Sequence, residues 1–260
     1  YKIDYNKYPN TILKDNWNND NLFIILCRHG YIETIKWLYS LGNINIHKKN
    51  EKAFRESCVC GNLEVAKWLI EISKESGKII NIHANNEEAF RESCRNGYIK
   101  VAKWLIKISK ENGEMINIHA NDEEAFRLSC NNGKIEIAKW LIEISKENGN
   151  MINIHANNEE AFRLSCNNGK IEIAKWLIEI SKENGNMINI HANNEKAFRL
   201  SCRFNNIKTA KWLCSLCDDY YIEIINDKIV KYGIKNIYDN YLDENKEIKQ
   251  IIKKLQLKII

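Results

Sequence analysis

Apolar residues along the middle of the chain fall into two helical stretches of different breadth. In Asn85–Gly113, the residues Ala89, Phe90, Ser93 and Cys94 share one face at helical spacing. A short helix is expected there, stopped by Gly97, which suits the left-handed conformation of a C′ position. Asn85 or Asn86 is placed as its N-cap. Glu87 and Glu88 then stand in the first turn, where the helix dipole favours negative charge. From Ile99 to Glu111 the apolar positions are Val101, Ala102, Trp104, Leu105, Ile106 and Ile108, too many for one stripe. A helix apolar around most of its circumference is covered on several sides, as in the middle of a stack. Asn112-Gly113 stops it, and Met115–His119 reads as an extended return.

This pair of helices recurs. Asn117–Ile152 and Asn153–Ile188 differ at a single position, Asp122 against Asn158, and looser copies stand at Asn45–Ile80, Asn81–Ile116 and Asn189 onward. A fixed period of 36 residues implies a solenoid, in which each unit buries its apolar face by stacking on the next. The first repeat, Phe23 to Leu41, lacks most of the second-helix extension and sits 31 residues before its successor.

The pattern changes at both ends. Asn205 stands where the turn glycine is expected, a tolerable exchange because Asn enters the left-handed region. After Cys217 the repeat is lost. Tyr220–Ile225 and Lys228–Ile234 are rich in β-branched and aromatic residues around Asn226-Asp227, which reads as a hairpin. Residues 236–260 suit one or two helices. Solenoids need their open ends covered, so residues 218–260 are expected to form a C-terminal cap. Residues 1–20 are expected to be an N-terminal cap or a degenerate repeat. The chain begins at Tyr1 rather than Met, so a trimmed start and missing upstream repeats are also expected.

Composition narrows the class. Hydrophobic residues make up 44% of the 260, enough for a continuous core. No apolar run approaches the roughly 18–20 residues that span a bilayer, and no signal segment opens the chain. No membrane association is expected. The net charge of +5 is mild and spread out, unlike the basic stripe of a nucleic-acid binder. Cys58, Cys94, Cys130, Cys166 and Cys202 occupy one repeat position, each after a serine. Free Cys behaves as a small buried hydrophobe, and layers about 8–10 Å apart are too distant for disulfides. A reducing, intracellular and cytoplasmic setting follows.

Candidate chemistry is sparse. His47, His83, His119, His155 and His191 recur once per repeat. One histidine per layer cannot converge on a metal, so loop hydrogen bonding is the expected role. Cys214-x-x-Cys217 lacks a second Cys/His pair at zinc spacing or a redox context. Trp37, Trp68, Trp104, Trp140, Trp176 and Trp212 are placed in the inter-layer core, where Trp140→Ala should cost on the order of 3–5 kcal/mol. Arg55, Arg91, Arg127, Arg163 and Arg199 are expected to bridge layers through hydrogen bonds and neighbouring glutamates. Phosphate loops, catalytic triads and paired catalytic carboxylates are absent from the sequence. Neither an enzyme nor a cofactor is expected.

The string Glu88-Ala89-Phe90-Arg91-Glu92-Ser93-Cys94-Arg95-Asn96-Gly97, followed by Ile99, Val101, Trp104 and Leu105, resembles the ankyrin repeat. Ala89 stands for the family's Pro, Phe90 for its Leu, Arg91 for its His, and Ser93-Cys94 for its paired alanines. Asn81-Ile82-His83-Ala84 resembles the D-V-N-A connector. The resemblance covers residues 21–215. It implies an all-α helix-turn-helix solenoid of about six repeats over residues 21–217, with the small β-hairpin/helix cap after it. Against the family's usual period of about 33, the finger is about three residues shorter and the second helix with its exit about six longer. The Asn-, Ile- and Lys-rich composition looks like the ankyrin proteins of giant amoeba-infecting DNA viruses.

What the resemblance implies about function is a non-catalytic scaffold, a monomer that holds a protein partner on a concave face of first helices and fingers. By position, that face carries Glu56, Glu92, Leu128, Leu164 and Leu200 after the repeating arginine. After the cysteine it carries Arg95, Asn131, Asn167 and Arg203, with Val59 in the first of these layers. If these residues face outward, the surface runs from acidic to apolar, and a row of leucines marks a contact patch. Against that stand a recent duplication, which would copy Leu128 and Leu164 without selection for binding, and half-burial of the leucines. The alternative function is substrate adaptor of a ubiquitin ligase with residues 218–260 as recruiter. The Leu-Pro start usual for such a segment is missing, since the only proline is Pro9.

Overall fold

The computed structural model describes residues 19–235, in two compact units that divide between Ile154 and His155. Residues 1–18 and the helices expected over 236–260 lie outside the described residues.

The first unit holds four helix pairs. They are α1 (Asn19–His29) with α2 (Ile32–Ser40), α3 (Lys48–Val59) with α4 (Leu63–Glu75), α5 (Ala84–Asn96) with α6 (Ile99–Glu111), and α7 (Ala120–Asn131) with α8 (Ile135–Glu147). Successive first helices pack side by side, α1 on α3, α3 on α5 and α5 on α7. The second unit holds α9 (Ala156–Asn167) with α10 (Ile171–Glu183), and α11 (Ala192–Arg203) with α12 (Ile207–Leu216). An antiparallel hairpin, β1 (Tyr220–Ile225) and β2 (Lys228–Ile234), follows α12. Among the described residues no helix is long and apolar enough to cross a membrane.

The core of each layer is what the apolar pattern demands. Phe54, Phe90, Phe126, Phe162 and Phe198 are fully buried, as are Leu69, Leu105, Leu141 and Leu177 of the second helices. Cys58, Cys94, Cys130 and Cys166 are free and buried among them. The tryptophans sit at the rim of the core. Trp104 packs against Phe54 of the preceding layer and Trp140 against Phe90, with ring centroids 6.3 Å apart in both pairs. Both indoles are half-buried, and Trp37 is exposed. The expected layer-to-layer contact is present, but the rings are only partly covered.

The start of each first helix departs from expectation. Asn85 and Asn86 are not caps: Asn85 (φ 57, ψ 47), Asn86 (φ 54, ψ 59) and Glu87 (φ 61, ψ 31) form a left-handed turn before the right-handed helix begins. The same three positions are left-handed in α3, α7, α9 and α11. Non-glycine residues pay about 1–2 kcal/mol each in this region, Asn least. Four bonds offset that. The Arg91 guanidinium donates through Nε to the Asn86 carbonyl at 2.6 Å and through Nη2 to the Asn85 carbonyl at 3.1 Å. The Glu87 carboxylate, buried, bonds His83 Nδ1 at 2.8 Å and accepts the Asn117 N–H of the next layer at 3.1 Å.

The remaining repeat positions are explained by backbone partners. Asn81 Oδ1 accepts the His83 N–H at 2.9 Å, a local turn repeated at Asn45, Asn117 and Asn189. Ser73, Ser109 and Ser145 accept the N–H of Ile80, Ile116 and Ile152, pinning each extended return against its own second helix. Asn96 and Asn132 reach back to the carbonyls of Val59 and Arg95, which end the previous first helices. Gly97 takes the left-handed cap (φ 93), and Asn205 does the same at φ 56.

The hairpin lies where its composition placed it. Asn226 (φ 50) and Asp227 (φ 55) make the tight turn, and a bulge falls between Glu223 and Ile224. It packs on the last layer. The Tyr220 ring stacks on Phe198 and Tyr232 meets the same ring edge-on, while Asn205 bonds the Asp227 carbonyl and the Ile229 N–H. Residues 220–234 of the recruiter expected in the adaptor reading are thus engaged with α11 and α12.

Candidate functional site

The candidate face is built on first helices whose inward side is spoken for. In the first unit, Arg55 bonds the carbonyls of Asn50 and Lys49 at 2.8 and 3.0 Å, and its Nη1 pairs with Glu88 of the next layer at 2.5 Å. Arg91 repeats this with the carbonyls of its own turn and with Glu124 of the next layer. The arginine ladder expected to bridge layers does so here, as a clamp on the left-handed turn. The histidines likewise make loop hydrogen bonds, His47 to Glu51 at 3.0 Å and His119 to Glu123 at 3.0 Å. No group of three or more His, Cys, Asp or Glu able to hold a metal occurs among the described residues.

The nine candidate residues are more covered than a fully outward row. Glu56 is half-buried, 3.8 Å from Arg28 and 4.0 Å from Lys52. Glu92 is half-buried and pairs with exposed Arg95 at 3.4 Å, one turn on in α5. Leu128 and Asn131 on α7 are half-buried, and Asn131 donates to Asn132 Oδ1 at 3.0 Å. In the second unit, Leu164 and Asn167 on α9 and Leu200 on α11 are half-buried, while Arg203 is exposed. Asn167 donates to Asn168 at 3.2 Å and leaves its own Oδ1 covered without a partner. Each leucine therefore presents only part of its surface. Arg163 on the same helix holds the Asn158 and Asn157 carbonyls, and burial pulls its guanidinium below the ordinary value against the opposing charges of Glu160 and Glu159.

Two exposed sets escaped the sequence reading. Ile79, Met115 and Met151 of the first unit are 62%, 53% and 46% exposed at one repeat position of the extended return. The signal was present as alternation: Ile116 and Ile118 turn inward, so the period of two sends Met115 outward. Tyr31 and Tyr98, each following a turn glycine, are exposed as well.

The family model described as ankyrin repeats, in three copies, matches residues 23–122 and again 126–225. A crystal structure of the human ASB11 ankyrin repeat domain is similar at 16% identity, with a TM-score of 0.49, over 75% of this chain and 83% of that one. A search of curated proteins found no match. Left-handed turn, first helix, glycine turn and second helix recur in register with the matched segments, and the chain belongs to the ankyrin repeat family.

Proposed function

We propose that this chain is a non-catalytic scaffold whose repeats, residues 21–217, hold a partner protein on the exposed face of the first helices, with residues 218–260 as the terminal cap. The supporting observation is a contrast within each helix. In α3, α5 and α7 the arginine donates to two carbonyls of its own left-handed turn in every layer, whereas the residues that follow it and the cysteine change chemistry. In the first unit those neighbours read Glu56, Glu92, Leu128 after the arginine and Val59, Arg95, Asn131 after the cysteine. Ankyrin repeats are general protein-interaction modules, and a varied face on an invariant frame is what such a module needs. The Asn-, Ile- and Lys-rich composition supports a viral scaffold acting on a host protein in the host cytoplasm.

The test is a quantitative pull-down from host-cell lysate with the intact protein and with the variant Glu92→Lys, Leu128→Asp, Leu164→Asp, chosen to melt like wild type. A protein held by the first and lost by the second supports the reading. Identical capture by both removes this face from it, and ligase components in the captured set would favour the adaptor reading instead.

A further inference from the structure

The interior layers show what the clamp arginine accepts. Arg55 and Arg91 are each 7% exposed, and each seats a glutamate from the following layer, Glu88 at 2.5 Å from Arg55 and Glu124 against Arg91. The corresponding residue of α11 is Arg199, and it is exposed. The last layer is succeeded by the hairpin, which covers Phe198 and reaches Glu195 through the Tyr220 hydroxyl but brings no acid to Arg199. Among the described residues Arg199 has no hydrogen-bonding or ion-pair partner.

Charge on the same stripe changes with it. Lys196, Arg199 and Arg203 stand at i, i+3 and i+7, neighbours along one face of α11. At these positions α9 carries Glu160, Arg163 and Asn167, and α7 carries Glu124, Arg127 and Asn131. An acid and a neutral residue have both become bases. The one acid of α11, Glu195, is engaged by His191 and Tyr220. Exposed Lys208 and Lys211 on α12 add no compensating charge, and the Arg203 guanidinium lies 6.0 Å from the centroid of exposed Phe204.

We propose that this stripe of α11 is a docking site for an acidic helical segment of a partner protein, one carboxylate seated on Arg199 as Glu88 is seated on Arg55, with Lys196 and Arg203 flanking it. The inference rests on the binding-module reading and gives it a second, electrostatic contact. A helix is the fitting occupant because the interior glutamates come from helices, and because acids at i and i+4 on a helix match the spacing of the three bases.

The test titrates the full chain with a labelled peptide carrying glutamates at i, i+4 and i+8 in an alanine background, and with its glutamine counterpart. The glutamate peptide should bind, the glutamine peptide should not, and added salt should weaken the complex. Arg199→Gln should lower affinity about tenfold or more. So should the double variant Lys196→Glu, Arg203→Asn, which installs the residues α9 already carries and so keeps the fold. Failure of the glutamate peptide to bind, or equal binding by wild type and variants, overturns the proposal. So does tighter binding of a single-stranded RNA oligonucleotide that is lost in the same variants, since the stripe would then read phosphate. Any of these leaves the lysate experiment standing, because its variant changes Glu92, Leu128 and Leu164 and none of the bases of α11, so the two readings fail separately.

Discussion

The phenol ring of Tyr220 lies flat on Phe198, centroids 4.1 Å apart and planes 7° from parallel. In the interior, the ring of Phe54 or Phe90 meets a tryptophan from the following layer. At the end of the array a tyrosine from the hairpin takes that place. Its hydroxyl also bonds Glu195, where Glu87 and Glu123 accept the N–H of Asn117 and Asn153. One side chain thus supplies two of the contacts that a further repeat would. Tyr220→Ala should lower unfolding free energy by about 2–4 kcal/mol, and Tyr220→Phe, which keeps the stack, by about 1–2 kcal/mol. Urea melts in which both variants matched wild type would show that the hairpin does not cap the layer.

Burial of the thiols makes the fold sensitive to alkali. Desolvation pushes the Cys27 thiol up to about 12, and Cys202 to about 12 with a smaller contribution from Cys214. Burial raises Cys58, Cys94, Cys130 and Cys166 further still. The Tyr220 phenol is held far above its ordinary value by burial and by Glu195. Unfolded thiols ionise near about 8.5, so between there and the folded values the native state keeps protons that the unfolded state releases. Stability from these groups is complete below about pH 8.5 and is lost as pH rises, by about 1.4 kcal/mol per pH unit per thiol. Denaturation midpoints should fall steeply from about pH 9 upward. Cys94→Ala should make that fall shallower by one thiol, and an unchanged slope would mean that Cys94 ionises in the folded protein.

Much of this was legible because the repeat states each rule several times. Helix α6 runs from Ile99 to Glu111 and the hairpin strands from Tyr220 to Ile225 and Lys228 to Ile234, as apolar period and turn residues indicate. What misled was a real ambiguity. Asn85-Asn86-Glu87-Glu88 is a good N-cap sequence, but Asn is also the residue that best tolerates a left-handed backbone. In α5 the left-handed form is reinforced by Arg91, five and six residues on, which donates to the carbonyls of Asn86 and Asn85, although the same turn at Asn193 and Asn194 forms without that bond. Local propensity carries no record of such a partner. The tryptophans were legible as inter-layer contacts but not as rim residues, because a two-sided apolar helix does not say which ring edge meets water. With Trp140 half-buried, the loss from Trp140→Ala belongs at the lower end, about 3 kcal/mol. The candidate face was legible only by position, since sequence says which residues flank the clamp but not how far neighbouring layers cover them.

The left-handed turn gives a prediction of unusual sign. Asn86 sits at φ 54 and ψ 59 with its carbonyl accepting from Arg91, and its own side chain is exposed. Glycine keeps the carbonyl and removes the steric penalty of the left-handed region. Asn86→Gly should therefore be neutral or stabilising by up to about 1 kcal/mol, despite the greater freedom it gives the unfolded chain. Asn86→Val, β-branched in the same conformation, should destabilise by about 1–2 kcal/mol or more. If thermal melts ranked glycine below valine, the left-handed assignment would be wrong.

The clamp itself can be tested against a control inside the same chain. Arg91 is 7% exposed and holds two carbonyls and a carboxylate with three separate nitrogens. Lysine keeps the charge but offers one point donor in place of a planar fork, so it cannot reach both carbonyls and Glu124 together. Arg91→Lys leaves at least one left-handed carbonyl without its donor and should cost about 2–4 kcal/mol. Arg199 occupies the equivalent position in α11 but is exposed, and the turn at Asn193 and Asn194 forms there without it. Arg199→Lys should accordingly change stability by less than about 0.5 kcal/mol. The pair of urea melts separates a role in packing from one in charge. No loss in either variant would mean that the arginine acts only through its charge, whereas a loss confined to Arg91 ties the turn to the fork-shaped donor and to the layer stacked after it.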